Sequence, residues 1–245
     1  MPGKVIFCTL RTPALYPPLP PRTAMSNFTE AWLPGPKSTS FYARTYHPSS
    51  GSPRGVVVFI HGFIEHVARY EHVHRRWADR GFVVFTFDQR GFGRTALDPK
   101  KSSSSIYGRT GDADQISDIE WALRVAQELN PTVPLFLMGH SMVRPVYPLC
   151  LSAVVFYNSP RVRLQGGALV LSFATRSHTQ ESVSQLSGII ASSPCIRLTK
   201  PPASITRWLG GFARTVLPNQ TIPASVDSKV HTSFPLPTCF LRHNH

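Results

Sequence analysis

The residues with the clearest catalytic potential form a short run directly after an apolar segment. Gly139-His-Ser-Met142 follows Val133-Pro-Leu-Phe-Leu-Met138, and it matches the first four positions of the pattern G-x-S-x-G. In that pattern the serine projects from a sharp turn between a strand and a helix, so small residues are needed two places before it and two places after it. Its hydroxyl then lies at the N-terminus of the next helix, where N–H groups and the helix dipole stabilise a developing oxyanion. The spacing therefore predicts Ser141 as a nucleophile.

A second short motif could supply half of an oxyanion hole. His61-Gly62-Phe63 closes the apolar run Gly55-Val-Val-Val-Phe-Ile60. Where a serine stands on such a turn, one oxyanion donor is a backbone N–H of a loop of this kind, and the other is the N–H that follows the serine. We therefore predict the backbone N–H groups of Phe63 and Met142 as the two donors. Without the serine motif, the pair His61-Gly62 would be typical of a tight turn with a buried histidine.

The elements that must position these motifs alternate between strands and helices. Alternating residues predict an edge strand at 41–46, and apolar runs predict strands at 55–60, 81–87, 133–138 and 187–192. Helical spacing predicts helices at 66–80, 112–129 and 166–176. Asp112 or Asp114 is expected to cap the second helix. Since continuous apolar strands must be covered on both faces, this order indicates an α/β fold with a mostly parallel sheet between two helical layers. Both motifs then lie at the carboxyl ends of strands, where open α/β sheets place their sites.

Several motifs together resemble the monoacylglycerol lipase group of the α/β-hydrolases, which is often classed with the serine aminopeptidase S33 hydrolases. They are His61-Gly-Phe-Ile-Glu-His66 with Arg69-Tyr70, Phe87-Asp-Gln-Arg-Gly-Phe-Gly93-Arg-Thr95, and Gly139-His-Ser-Met142. The resemblance covers about 26–142 and 166–229. It implies an α/β-hydrolase fold and a serine hydrolase that cleaves carboxylic esters of glycerol through an acyl-enzyme on Ser141, with Phe63 and Met142 as oxyanion donors. It also implies a small lipid ester as substrate and neither a metal nor an organic cofactor. We expect a cytoplasmic location, either free or peripheral to membranes or lipid droplets.

The chain departs from the family pattern immediately after Met142. The pattern requires one glycine there, and usually two, but the chain has Val143-Arg-Pro-Val-Tyr-Pro148. A valine would clash where the helix passes the neighbouring strand, and Pro148 would break the helix. Gly166-Gly167 follows later, and joining Met142 to Gly166 restores the full pattern. We therefore predict that 143–165 is an inserted segment, most simply a retained intron read in frame.

The family pattern also stops near Lys229, although the family continues through the rest of a cap and two more strands that carry the catalytic Asp and His. The acids after Ser141 are Glu181 and Asp227, and the histidines are His178, His231, His243 and His245. Asp227 and His231 have the right order, but four residues cannot span two separate strand-end loops. We therefore assign no acid and no base, and we expect the chain as written to be inactive. We also expect the strand at 187–192 to have no strand along its outer edge.

The formal net charge of +13 is unevenly distributed along the 245 residues. Three segments contain no acidic residue, namely 1–24, 143–165 and 230–245, and they hold seven of the 26 basic residues. The rest of the chain has only a mild basic excess, and lysine and arginine form no polybasic block, so no nucleic-acid partner is predicted. No apolar run approaches the length of about 18 residues that a membrane-spanning helix needs.

Metal ligands are not predicted. The cysteines match no zinc pattern; they are Cys8, Cys150, Cys195 and Cys239. His72 and His74 have a spacing that could suggest a metal, but no cluster of carboxylates or cysteines accompanies them. The favoured interpretation of this pair is a solvated helix face. His178 is expected on the surface.

The chain is predicted to divide into five parts. These are a Pro-rich disordered leader at 1–25, a hydrolase core at 26–142 and 166–194, the inserted segment at 143–165, a partial cap at 195–229 and a tail at 230–245. A transit peptide is the alternative interpretation of 1–29. In the cap, helical spacing of apolar residues at 204–217 predicts an amphipathic helix, which either contacts a membrane surface or packs over the site. Two further functions stay open: a non-catalytic protein that binds lipid or a partner, and a peptidase that releases N-terminal residues.

Overall fold

The computed structural model describes residues 5–8, 28–101, 107–140 and 166–194, with the first of these ranges described by its backbone alone. The chain divides into two units, and all described residues belong to the unit made of Met1–Arg144 and Pro160–Pro201. The other unit, Pro145–Ser159 with Pro202–His245, lies outside the described residues. The predictions for Ser141, Met142, the inserted segment, the cap with 204–217 and the tail therefore also fall outside the described residues.

The described strands form one mixed sheet. In chain order they are β1 (Val5–Cys8), β2 (Phe28–Pro34), β3 (Ser40–Tyr46), β4 (Gly55–Ile60), β5 (Phe82–Phe87), β6 (Leu135–His140) and β7 (Gly188–Ser192). Their order across the sheet is β1-β7-β6-β4-β5-β3-β2. Neighbours from β1 to β5 in this order are parallel, whereas β3 is antiparallel to both β5 and β2. The sheet is mostly parallel, as the sequence predicts.

Helices cover both faces of this sheet. They are α1 (Glu71–Asp79), α2 (Gly93–Leu97), α3 (Asp112–Leu129), α4 (Gly166–Thr175) and α5 (Gln180–Ser184), with 3-10 turns at Pro36–Ser38, Val67–Tyr70 and Ser177–Thr179. Every residue of β4 is buried. Its Val56 and Val58 join a core that includes apolar residues of α3 and α4, and its Phe59 joins a second core that includes Ala78 of α1. This two-sided burial explains why the strand is a continuous apolar run.

The predicted elements are confirmed, with four differences in detail. β6 ends at His140 rather than at the predicted Met138, and β3 is not an edge strand, because β2 pairs with it on the side away from β5. The region predicted as a helix at 66–80 consists of a 3-10 turn followed by α1, whereas α3 occupies the predicted 112–129. The predicted cap of α3 is wrong, because the N-cap is Gly111 and no side chain bonds to the helix end. Asp112 and Asp114 lie inside the first turn, where they form ion pairs with Arg176 and Lys37. The two carboxylates therefore tie α3 to neighbouring segments.

The outer edge of β7 is paired, which corrects the expectation of an uncovered edge. β1 runs parallel to β7, with Val5 opposite Ile189 and Cys8 opposite Ser192. Four residues of the leader that the sequence predicts to be disordered are therefore a strand. The physical reason is that a bare strand edge exposes unpaired N–H and C=O groups, and an apolar, β-branched segment anywhere in the chain can pair with it.

Candidate active site

The two motif loops begin side by side at the carboxyl ends of β4 and β6. These strands are parallel neighbours, and Ile60 at the end of β4 lies opposite Gly139 in β6. The loop that contains Phe63 therefore starts next to His140, the residue that precedes Ser141 in the chain. Phe63 is half-buried. Ser141 and Met142 lie outside the described residues, so the assignment of nucleophile and second donor stays a prediction.

The first glycine of α4 packs directly on these strand ends. A Cβ on Gly166 would lie 2.5 Å from the carbonyl oxygens of His140 and Ile60, and 2.6 Å from that of His61. A Cβ on Gly139 would overlap the carbonyl oxygen of Gly166. His140 and Gly166 are thus in contact, although 141–165 separates them in the sequence. The helix α4 begins at the place where the helix of a G-x-S-x-G turn must begin.

The second glycine of α4 has an equally close neighbour in the next strand. A Cβ on Gly167 would lie 2.6 Å from the carbonyl oxygen of Ser192, at the end of β7. Because any larger residue would meet backbone atoms, both glycines are required by the packing of α4 against the sheet. This packing supports the interpretation that Gly166-Gly167 are the small residues missing after Met142.

His61 is fully buried, and both of its ring nitrogens are hydrogen-bonded. The backbone N–H of Gln89 donates to Nε2 over 2.9 Å, so Nδ1 carries the proton and donates to the carbonyl oxygen of Gly62 over 2.8 Å. The side-chain amide of Gln89 donates to the carbonyl oxygen of His61 over 2.7 Å. Burial lowers the pKa of His61, so the ring is neutral. The structure therefore matches the interpretation of a tight turn with a buried histidine.

Glu65 stabilises the same loop through a buried carboxylate. The sequence analysis did not predict a role for this residue. Its Oε2 accepts the backbone N–H of Gly62 over 2.9 Å and the hydroxyl of Tyr70, and its Oε1 lies 3.1 Å from Nε of Arg69. Burial, followed by the negative charge of Glu65, raises the pKa of Tyr70, so this hydroxyl keeps its proton and donates. The available sequence signal was the spacing of Glu65 and Arg69, which suits an ion pair across one helical turn.

His140 links the ends of β6 and β7. Its Nδ1 is within hydrogen-bond distance, 2.9 Å, of the hydroxyl of Ser192, and its ring lies edge-on to Tyr70 with centroids 5.7 Å apart. Burial lowers the pKa of His140. The residue before Ser141 is thus held by contacts to two neighbouring elements.

Asp88 shapes the loop after β5. Its carboxylate accepts the backbone N–H groups of Val67 and Arg94 over 2.7 and 2.6 Å, and it occupies the space beside Gly93, whose φ is +51°. Arg90 in the same loop forms a bidentate pair with Asp118 of α3, over 2.7 and 3.1 Å. These side chains hold backbone and helices in place, and neither belongs to the two motif loops.

The pair His72 and His74 corrects a second expectation. His72 is exposed, but His74 is fully buried, so the interpretation of a solvated face is right for the first and wrong for the second. His74 lies on the side of α1 that faces the sheet. Neither of its ring nitrogens has a hydrogen-bond partner among the described residues. Within the described ranges, no group of three His, Cys, Asp or Glu side chains forms a metal site. His178 is exposed, as predicted.

No helix in the part of the chain that the structure describes is both long and apolar enough to span a bilayer.

Comparisons with known proteins agree with the fold. A family model described as "Serine aminopeptidase, S33" matches residues 51–142. The monoacylglycerol lipase of Mycolicibacterium smegmatis is 28% identical over 187 residues, which are 67% of this chain and 64% of that protein. The monoglyceride lipase of Mus musculus is 26% identical over 193 residues, which are 76% of this chain and 50% of that protein.

A solved structure shows the same fold. It is a soluble variant of the monoglyceride lipase from Saccharomyces cerevisiae in complex with a substrate analogue, with a TM-score of 0.58 and 22% identity. The match covers 86% of this chain and 59% of that one. The chain therefore spans less than two thirds of the length of each of these three relatives. Its sheet order and these matches together show an α/β-hydrolase fold, and they make the chain similar to the monoacylglycerol lipase and serine aminopeptidase S33 group.

Proposed function

We propose that this fold serves a serine hydrolase that cleaves carboxylic esters of glycerol. In the proposed reaction Ser141 Oγ adds to the ester carbonyl, and the glycerol oxygen leaves with a proton. Water then hydrolyses the acyl-enzyme and releases the fatty acid. The backbone N–H groups of Phe63 and Met142 stabilise the oxyanion of each tetrahedral intermediate. The substrate is a small lipid ester, the protein is cytoplasmic, and no cofactor takes part.

The observation that supports this proposal is the contact between Gly166 and the ends of β4 and β6. It brings the N-terminus of α4 against the carbonyl oxygens of Ile60, His61 and His140. A serine that follows His140 and precedes this helix would have the loop of Phe63 on one side and the positive end of the helix dipole on the other. Both are features that acyl transfer on a serine requires.

We further propose that the chain as written is inactive. A serine hydroxyl is a weak nucleophile without an adjacent base, and no histidine of this sequence is assigned that role. Met142 is also followed by Val143 and Pro145 rather than by Gly166, so the sequence places no glycine where the turn needs one.

Fluorophosphonate labelling tests both statements. The purified 245-residue chain is expected to show no labelling that depends on Ser141, with Ser141→Ala as the control. Sequencing of the cDNA across codons 142–166 and beyond codon 229 then defines the uninterrupted chain. That chain is expected to be labelled and to hydrolyse monoacylglycerol. Strong Ser141-dependent labelling of the 245-residue chain would contradict inactivity, and an uninterrupted chain without esterase activity would contradict the proposed reaction.

An aminopeptidase is the second candidate, because the family model that matches 51–142 is described as a serine aminopeptidase. The nucleophile and the oxyanion donors would be the same, and only the leaving group would differ. The uninterrupted chain should therefore be assayed in parallel with a monoacylglycerol and an aminoacyl arylamide. Preferential turnover of the arylamide would favour the peptidase.

The proposed contact with lipid depends on 204–217, which lies outside the described residues. If this segment contacts a membrane surface, the double change Trp208→Ala and Phe212→Ala in the uninterrupted chain should weaken vesicle binding. Hydrolysis of a short soluble ester should stay nearly unchanged. A parallel loss of both would show instead that the segment packs over the site.

A further inference from the structure

The loop between β4 and the 3-10 turn at Val67–Tyr70 reverses direction at Ile64, whose φ is +58°. This left-handed conformation is unfavourable for a β-branched residue, so the surrounding contacts must maintain it. The reversal brings the carboxylate of Glu65 back over Gly62. A Cβ on Gly62 would lie 2.5 Å from Oε2 of Glu65 and 3.4 Å from the carbonyl oxygen of His140. The carboxylate thus fills the space beside Gly62 on the side of the strand end that leads to Ser141.

Gly62 is held from both sides by different side chains. Its N–H donates to Oε2 of Glu65 over 2.9 Å, and its carbonyl oxygen accepts Nδ1–H of His61 over 2.8 Å. That carbonyl belongs to the same peptide group as the N–H of Phe63. In a planar trans peptide these two bonds point in opposite directions. The contact at the carbonyl of Gly62 therefore determines where the N–H of Phe63 points, and the contact of Glu65 with the N–H of Gly62 holds the preceding peptide group on which that orientation is built.

Both side chains are themselves fixed. Glu65 is held by the hydroxyl of Tyr70 and by the guanidinium of Arg69, and it is only 8% exposed. His61 is held by the backbone and side chain of Gln89. A donor is most effective when its direction is set before charge develops on the substrate, and buried, bonded anchors provide this.

The N–H of Phe63 has no acceptor of its own among the residues that the structure describes. It is therefore a donor with a set direction, beside the chain position that precedes Ser141. We infer that Glu65 is a positioning residue that, together with His61, aims the N–H of Phe63 at the carbonyl of the bound ester. This inference rests on the proposed function, since it assigns the anchor of the first oxyanion donor.

Direct measurement of the N–H direction tests the inference in the full 245-residue chain. Residual dipolar couplings and amide exchange are recorded for Glu65→Ala, Glu65→Gln and the control Glu71→Gln. Glu71 is a fair control because it also pairs with an arginine across one helical turn, 2.7 Å from Arg75, and its other ion pair is with Arg44 of β3, outside the loop at 61–66. In Glu65→Ala, exchange at Gly62 should rise about tenfold or more, because its acceptor is lost. The coupling of Phe63 should change while couplings in β4 and β6 stay constant.

The conservative variant separates positioning from general stability. Glu65→Gln keeps an oxygen that can accept the N–H of Gly62, so the coupling of Phe63 should return toward the parent value. If Glu65→Ala does not fold, the coupling and exchange measurements on Glu65→Gln provide the test instead. An unchanged Phe63 coupling in Glu65→Ala would overturn the inference. Shifts of equal size in Glu71→Gln, or spread over the whole sheet in Glu65→Gln, would overturn it as well.

Kinetic assays of the same variants in the uninterrupted chain test whether the orientation of the Phe63 N–H affects turnover. Glu65→Ala should lower kcat for a monoacylglycerol by about tenfold to a hundredfold and change KM by less than about twofold. Absence of turnover in every variant, including the parent, would count against the proposed function. An unchanged kcat in Glu65→Ala, with an active parent, would count against the positioning role alone.

Discussion

Two buried histidines occupy opposite kinds of pocket in this molecule. His61 lies in a polar pocket at the carboxyl end of β4, and both of its ring nitrogens are bonded to neighbouring groups. His74 lies in an aromatic pocket under α1, and neither nitrogen has a hydrogen-bond partner in the part of the chain that the structure describes. The rings around His74 have centroids 4.7 to 5.9 Å away; they belong to Tyr46, Phe59, Tyr70 and Trp77.

Burial alone therefore does not indicate whether a histidine organises the backbone around it. Both side chains are fully buried, and burial lowers the pKa of each. Only His61 uses its polar atoms to determine the geometry of a backbone segment. His74 contributes ring surface to an aromatic cluster and leaves two polar atoms unsatisfied. The same substitution in the two pockets should therefore have different effects.

The largest effect is expected for His61→Leu. Leucine cannot bond to the buried N–H of Gln89 or to the carbonyl of Gly62, and each unsatisfied buried group costs about 1 to 3 kcal/mol. The free energy of unfolding should fall by about 3 kcal/mol, measured by urea denaturation at pH 8. A loss below about 1 kcal/mol would show that these hydrogen bonds do not support the loop.

A smaller effect is expected from pH, and it should come in part from His74. Burial, with the nearby charges of His72 and Arg44, lowers the pKa of His74 from its ordinary 6.5 to about 3. Below pH 6.5 the unfolded chain therefore binds a proton that the folded chain does not, so stability is lost as pH falls from 6.5 toward 3. At pH 5 this contribution is about 2 kcal/mol.

Denaturation curves at several pH values isolate that contribution. The loss of stability between pH 8 and pH 5 should be smaller in His74→Leu than in the parent chain by about 2 kcal/mol. His61 and the carboxylates titrate in both chains, so the difference reports His74. Parallel pH profiles for the two chains would mean that His74 takes up its proton as readily in the folded state as in the unfolded one.

The smallest effect is expected for His74→Leu at pH 8. Ring contacts worth about 0.5 to 1.5 kcal/mol each are lost, but two unsatisfied buried nitrogens are also removed. These terms oppose one another, so the free energy of unfolding should change by less than about 1 kcal/mol. A loss as large as that of His61→Leu would show that the two pockets are equivalent in energy and would remove the contrast between them.

The sequence predicts the central part of the sheet better than its edges. β4, β5 and the first four residues of β6 are almost wholly apolar because most of these positions are buried, and this signal is local. β2 was not predicted because it is an exposed edge strand that ends at Pro34. β1 was not predicted because its partner, β7, lies at the other end of the described chain, so no local pattern marks the pairing.

The site shows the same division between local and distant signals. The family pattern predicted that Gly166 takes the place of the glycine missing after Met142, and the structure places Gly139 and Gly166 in contact. The role of Glu65 could not be predicted, because it depends on a left-handed residue at Ile64 that local preference disfavours. The burial of His74 had a usable signal, since it is four residues after Tyr70 and three before Trp77, on one side of the helix.

The contact of Gly166 with His140 has a consequence for chain entropy. The ends of a connection meet at this point whether the connection is two residues, as in the family pattern, or the whole of 141–165. The entropy of closing a flexible loop grows only with the logarithm of its length, by about 0.6 kcal/mol for each doubling. The longer connection represents between three and four doublings, which amounts to about 2 kcal/mol. A domain of ordinary stability, about 5 to 15 kcal/mol, can tolerate that amount and still fold. An insertion at this point would therefore disrupt the catalytic turn without unfolding the sheet.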